Sequence, residues 1–253
     1  MTFEVWHLAL LFLTAVAAGF VDSIAGGGGM ITLPMLLSLG LPPQVALGTN
    51  KLQACFGSGS AAWHYAVAGT VQLKDCWRGF AWSLVGAGAG AFAVQQLDPA
   101  FLKRIIPILL ILVAAYMLMK PHAGDQDLHP RMHRGGFDLL FGLGIGFYDG
   151  FFGPGTGTFW TMAFVLGLGF NLTRATGYTK VMNFASNVSS LVFFLAAGKV
   201  MFTAGLVMGL GQWLGARLGA GMVVSKGTRF IRPVFITVVM AITFKLLWDG
   251  FHS

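Results

Sequence analysis

The sequence predicts an all-α, polytopic integral membrane protein made of two inverted repeats of about five helical segments each. Three observations carry that expectation. Hydrophobic residues make up 56% of the 253-residue chain and charged residues 10%, with a mean hydropathy of +0.74. A soluble domain needs about a quarter of its residues charged, so this surface has to face lipid. The apolar sequence also falls into runs near the roughly 20 residues that span a bilayer. Finally, Phe20-Val-Asp-Ser-Ile-Ala-Gly-Gly-Gly-Gly-Met30 returns 127 positions later as Phe147-Tyr-Asp-Gly-Phe-Phe-Gly-Pro-Gly-Thr-Gly157.

The runs lie at about 6–22, 30–41, 45–68, 77–96, 100–119, 136–152, 157–170, 174–197, 202–223 and 228–249. Before the first, Glu4 and His7 stand where a removed signal peptide carries positive charge, which argues against cleavage. The second and seventh are short, which suits half-helices or re-entrant pieces better than full crossings, so each glycine cluster is expected to mark a helix that enters, breaks and turns. Gly40 lies opposite Gly167 at the offset of 127. After a two-residue insertion Gly48-Thr-Asn-Lys51 meets Gly177-Tyr-Thr-Lys180, and Gly69 and Val71 meet Gly198 and Val200. Gly211, Gly215 and Gly219, like Gly86 and Gly90, form small-residue stripes that allow close helix packing. The chain divides into a first repeat at 1–119, a linker at 120–135 and a second repeat at 136–253.

Whether the first two segments cross twice or form one re-entrant hairpin, the chain returns to its starting side. Three more crossings follow in each half, so the halves are inverted. Lys74, Arg78, Lys120, Arg131, Arg134, Arg174, Lys226, Arg229 and Arg232 fall on one side, against Lys103, Arg104, Lys199 and Lys245 on the other. Positive charge marks the cytoplasmic side, which puts both termini in the periplasm of a bacterial inner membrane. The net charge of +7 is this topology signal, and no nucleic-acid partner is implied.

Several chemistries are disfavoured. Cys55 and Cys76 form no disulfide framework. His129 and His133 have a metal-compatible spacing, but Pro130 between them opposes a helix, and a solvated loop is the better reading. The glycine runs match neither nucleotide-binding pattern. No nucleophile, paired carboxylate or metal-protease motif stands out, so neither an enzyme nor a cofactor is expected.

The informative residues are the ionisable ones at bilayer depth. A charge there costs about 2.5–3.5 kcal/mol even on permissive insertion scales. Asp22, Lys51, Asp149 and Lys180 therefore need a reason to be there. One is mutual neutralisation, with each Asp pairing to the Lys of its own half or to that of the other half. The other is an anion site at the repeat interface. Glycine allows tight turns, and a helix restarting after one presents unpaired N–H groups with partial positive charge. On this reading Gly27, Gly28 and Gly29 in one half, and Gly155, Thr156 and Gly157 in the other, cradle a small anion, and Lys51 and Lys180 add full charge. Asn50, Thr179, Asn183 and Asn187 supply neutral hydrogen bonds, as expected of inverted-repeat carriers with broken helices. Asp22 and Asp149 cap exposed N–H groups or change protonation during transport. An alternative is a cation- or proton-coupled carrier using Asp22 and Asp149.

Asp22-Ser-Ile-Ala-Gly-Gly-Gly-Gly29 followed by Pro34, with Gly48-Thr-Asn-Lys51 and its echo Gly177-Tyr-Thr-Lys180, closely resembles the TauE/SafE sulfite exporter family of bacterial membrane permeases. The resemblance spans nearly the whole chain. It implies movement of sulfur-containing anions such as sulfite or organosulfonates across the cytoplasmic membrane. The second copy departs from the first, with Gly153-Pro-Gly-Thr replacing four glycines and Thr179 replacing Asn50, which makes the two half-sites chemically unequal.

Overall fold

A computed structural model describes residues 3–119 and 126–227, and all regular structure among them is helical. The first half holds α1 (Val5–Ala25), α2 (Gly29–Ser38), α3 (Pro43–Val67), α4 (Trp77–Gln95) and α5 (Pro99–Met119). The second holds α6 (Arg134–Phe151), α7 (Thr156–Leu168), α8 (Leu172–Ala196) and α9 (Phe202–Lys226). The expected segment at 228–249 lies outside the described residues, as do Lys120, Arg229, Arg232 and Lys245. Among the described helices, α1 is the one both long and apolar enough to cross a membrane on composition, with a mean hydropathy of 2.1. α3, α4, α6, α8 and α9 are diluted by small and polar residues, chiefly Gly, Ser, Asn, Gln and Lys.

Each short helix folds back on the helix before it. α2 turns back at the Gly26 break, and its Leu33 and Leu36 pack in one apolar cluster with Leu11 of α1. α7 turns back in the same way after α6, and its Phe164 and Leu168 pack with Phe137 near the start of α6. Each pair is a hairpin whose tip lies inside the bundle and whose two ends lie together.

Two apolar cores result. One joins the beginnings of α1, α3 and α9 to the ends of α2, α4 and α8 and the start of α5. The other joins the beginnings of α4, α6 and α8 to the ends of α1, α3, α7 and α9. Between them lies a polar layer that includes buried Thr49, Asn50, Lys51, Gln53, Asn183, Ser186 and Asn187. The outside is the reverse. Leu13, Trp63, Val85, Phe92, Leu112, Val192, Leu206, Leu210 and Leu218 are exposed large hydrophobic side chains on the helix faces where a soluble protein places charge.

The halves interlock. α1 runs along α9, where a Cβ on Gly211 would meet Phe12 O at 2.6 Å and one on Gly219 would meet Phe20 O at 2.5 Å. α6 runs along α4, where a Cβ on Gly86 would meet Leu143 O at 2.5 Å. Only residues without a side chain let these backbones approach so closely. The contacts echo one another. Met201 N donates to Thr49 Oγ1 at 2.9 Å, and Gln72 N donates to Tyr178 OH at 3.4 Å, both residues of the second bond lying 129 positions from those of the first. Gly69 and Gly198 share positive φ angles of 74° and 65° at the same offset, and so do Gly40 and Gly169 at 82° and 69°. The partner of Gly40 is therefore Gly169, not Gly167, which lies inside α7. The two-residue insertion falls near the second glycine break, before Thr161.

One end of the bundle is basic. Lys74, Arg78, Arg134 and Arg174 surround a single cavity there, and Arg134 bridges Asp138 at 3.1 Å and Asp75 O at 2.9 Å. The described part of the linker is pinned to this end. Leu128 N donates to Gly169 O at 2.7 Å, and Asp127 Oδ1 accepts from Asn171 N at 2.7 Å. His133 caps α6 through Gly135 N at 3.3 Å, and no cluster of metal-binding side chains occurs among the described residues.

Candidate functional site

The two glycine breaks touch. Gly26 ends α1 in the left-handed conformation, φ 77°, and a Cβ on Gly157 would lie 2.5 Å from its Cα. Thr158 Oγ1 donates to Ala25 O at 3.0 Å, tying the start of α7 to the end of α1. A side chain at either glycine would force the tips apart, because the neighbour is rigid backbone. Both hairpins therefore deliver their helix starts to one place, flanked by α3 and α8.

The four buried ionisable residues meet there, and their pairs cross between the halves. Lys180 Nζ donates to Asp22 Oδ2 at 2.9 Å, and Lys51 Nζ donates to Asp149 Oδ1 at 2.6 Å. Both lysines are almost completely buried, at 0% and 1% exposed. Each carboxylate offsets the desolvation of the ammonium it meets, which an apolar environment alone makes prohibitive.

The pairs differ in their second contacts. Asp22 is a bridge: Oδ2 holds Lys180, while Oδ1 accepts the backbone N–H of Gly28 at 3.1 Å, at the N-cap of α2. That carboxylate sits between an ammonium group and a helix N-terminus, the two features that attract an oxyanion. It is also 20% exposed. Asp149 makes a closed contact instead. Its Oδ2 accepts from Ser186 Oγ, its backbone carbonyl accepts from Lys51, and its side chain is 5% exposed. Its carboxylate meets no N–H of the second break, where Pro154 lacks one and α7 begins without a side-chain cap.

The other expected residues take distinct places. Asn50 Oδ1 accepts from Thr32 Oγ1 at 2.6 Å and from Gln53 Nε2 at 2.7 Å, and the hydroxyls of Thr179 and Thr161 lie 3.1 Å apart. These are matching contacts, 129 residues apart, that brace α2 on α3 and α7 on α8. Gly27 and Gly28 are buried in the first turn, and Thr156 Oγ1 closes the second by donating to Gly153 O at 2.5 Å. Asn183 and Asn187 line a cavity of about 30 Å³ together with Asp22, Lys51, Gly29 and Gly157. That is room for about one water-sized group. Gly155, Thr179 and Lys180 stand behind it.

Three further side chains belong to this layer. Gln53 and Gln212 line the cavity, and Ser186 holds Asp149. Gln212 fits because its neighbours are glycines: a Cβ on Gly57 would lie 2.5 Å from its Oε1, and one on Gly19 would lie 2.8 Å from it. The only signal for these residues in the sequence is polarity inside an apolar run, which Ser, Thr and Gln share at many positions here. Arg217, by contrast, is exposed with Trp213 beneath it and lies apart from the site.

The sequence profile of the family described as sulfite exporter TauE/SafE matches residues 11–246. The chain belongs to that family. Several relatives match it along nearly their whole length. It is 48% identical to the probable membrane transporter protein ORF9 of Sinorhizobium sp over 97% of this chain and 94% of the relative. Identity to the probable membrane transporter protein YfcA of Escherichia coli K12 is 46%, covering 96% of this chain and 90% of the relative. Identity to the probable membrane transporter protein YunE of Bacillus subtilis is 26%, over 96% of this chain and 98% of the relative. No solved structure matches the chain.

Proposed function

We propose that this TauE/SafE protein is a secondary transporter that moves sulfite or organosulfonate-type anions across the bacterial cytoplasmic membrane. One observation carries the reading: Asp22 is already an oxyanion held by Lys180 and by the Gly28 N–H at the start of α2. Two of the three negative oxygens of a sulfite or sulfonate group can take the places of the two carboxylate oxygens. When it replaces the carboxylate, it inherits an ammonium and a helix N-terminus that are in place beforehand.

The rest of the molecule supports this. Apolar outer faces suit a bundle in lipid, with two inverted repeats whose hairpins enter from opposite sides and meet at the midplane. The basic end is the cytoplasmic one by the positive-inside rule, and both termini then lie in the periplasm. The cavity of about 30 Å³ is too small for a sulfonate, so the described state is closed. Opening requires Asp22 to swing away from Lys180. Lys51 and Asp149 stay joined and hold the breaks in register. Because Asp22 is the partly exposed carboxylate, a coupled proton has its access there as well.

The test is flux into liposomes of sulfite, thiosulfate, sulfoacetate and sulfate. Wild type moves at least one of the sulfur oxyanions, and Lys180→Ala abolishes that flux while the protein still folds. Undiminished flux in Lys180→Ala, or a cation flux that depends on Asp22 and survives both Lys→Ala changes, rejects the proposal.

A further inference from the structure

We infer that the solute accepted here carries a hydrogen-bond donor, such as a hydroxyl or an acid proton, beside its negative oxygens. This rests on the anion reading above and narrows its substrate class. Gln53 and Asn183 are 1% and 5% exposed, and both line the small cavity between the breaks. Among the described residues, Gln53 Oε1 and Asn183 Oδ1 have no hydrogen-bond partner. The direction of the first is set by its own amide nitrogen, which donates to Asn50 Oδ1 at 2.7 Å and to Thr32 Oγ1 at 3.1 Å. Those two bonds hold the nitrogen toward Asn50 of α3 and Thr32 of α2 and leave the oxygen as the free end of the group.

A buried carbonyl oxygen without a donor is destabilising, and such groups persist where a ligand or water completes them. A bare oxyanion does not complete them, because it offers only lone pairs and would repel both oxygens. A solute with a donor at one end and a negative group at the other satisfies the layer on all sides. Its charge faces the lysines, and its O–H or N–H faces Gln53 and Asn183. Nor are the two acceptors a by-product of duplication. At the offset of 129 the counterpart of Gln53 is Met182 and that of Asn183 is Ala54, so each half contributes one acceptor from a different position.

The experiment compares 2-hydroxyethanesulfonate with ethanesulfonate, which differ by one hydroxyl. Binding to the purified full-length chain in detergent is measured by calorimetry. The hydroxylated probe binds about threefold to tenfold more tightly, the worth of one good hydrogen bond. Gln53→Leu removes that preference, read as the ratio of the two affinities in the same variant, and Asn183→Leu reduces it. Equal binding of the two sulfonates to wild type overturns the inference, since water alone then completes the oxygens. A wild-type preference that persists in both variants overturns it too. Failure of both sulfonates to bind instead counts against the anion site itself. Should one variant not fold, the wild-type comparison and the other variant still decide the matter.

Discussion

The carboxylates of Asp22 and Asp149 stand at matching places 127 residues apart, and each holds the lysine of the other half, yet only one reaches a helix N-terminus. The difference traces to a few side chains. Where the first break has Gly27, the second has Pro154, which lacks an N–H. Where α3 has Gly57, α8 has Ser186, whose hydroxyl takes the free oxygen of Asp149. Gly57 instead leaves room for the Gln212 carboxamide. A duplicated backbone thus supplies two crossed ion pairs. Local substitutions close one pair, as a lock, and leave the other partly open, as the proposed exchange of Asp22 for a solute anion requires.

That contrast can be broken most forcefully at the lock. Lys51→Ala leaves Asp149 buried with Ser186 alone, and we expect a loss of about 3–5 kcal/mol, read as a fall in unfolding midpoint of the detergent-solubilised protein. Removing both charges, as Lys51→Met with Asp149→Leu, recovers much of it. A double variant as unstable as the single one would show that the pair is no lock. Lys180→Ala destabilises less, because Asp22 is 20% exposed and water replaces part of its contact. It removes anion flux all the same. If Lys180→Ala proves the more destabilising of the two, the assignment of lock and exchange pair is reversed.

A third test asks whether both halves depend on the touching breaks. Gly26→Ala puts a Cβ into Gly157 and into a left-handed backbone that by itself costs about 1–2 kcal/mol. It lowers the melting temperature and slows flux together, whereas Gly69→Ala at φ 74° meets open space and affects stability alone. The smallest effect concerns how the lysine helices start. Asn171 Oδ1 accepts from Arg174 N at 2.9 Å and caps α8, while α3 begins at Pro43 without a side-chain cap. Asn171→Ala costs about 1 kcal/mol, seen as a modest shift of the unfolding midpoint with flux retained.

Much of the architecture was legible beforehand. The run expected at 30–41 is Gly29–Ser38 and that at 174–197 is Leu172–Ala196, because glycine, proline and loss of hydropathy punctuate the chain where helices end. The buried charges were legible for the same reason that makes them rare in apolar sequence. Their partners were not, since pairing within a half and pairing across halves satisfy the same charges. The match of Gly40 with Gly167 went astray because a helical glycine and a left-handed one look identical as letters. Only the φ of 69° identifies Gly169. Gln53, Ser186 and Gln212 stayed hidden among other polar residues, their roles arising from what faces them across the bundle.

By itself, then, the sequence determined the helical content, the apolar exterior, the two breaks and the four charges, because these follow from local composition and from the cost of leaving charge or backbone unsatisfied. The tertiary structure alone decided that the ion pairs cross, that Asp22 lies against a helix start while Asp149 is sealed, and that two buried carboxamide oxygens of cavity-lining residues have no partner among the described residues. The crossed ion pairs join residues 98 and 158 positions apart, and such relations exist only once the hairpins have been brought tip to tip.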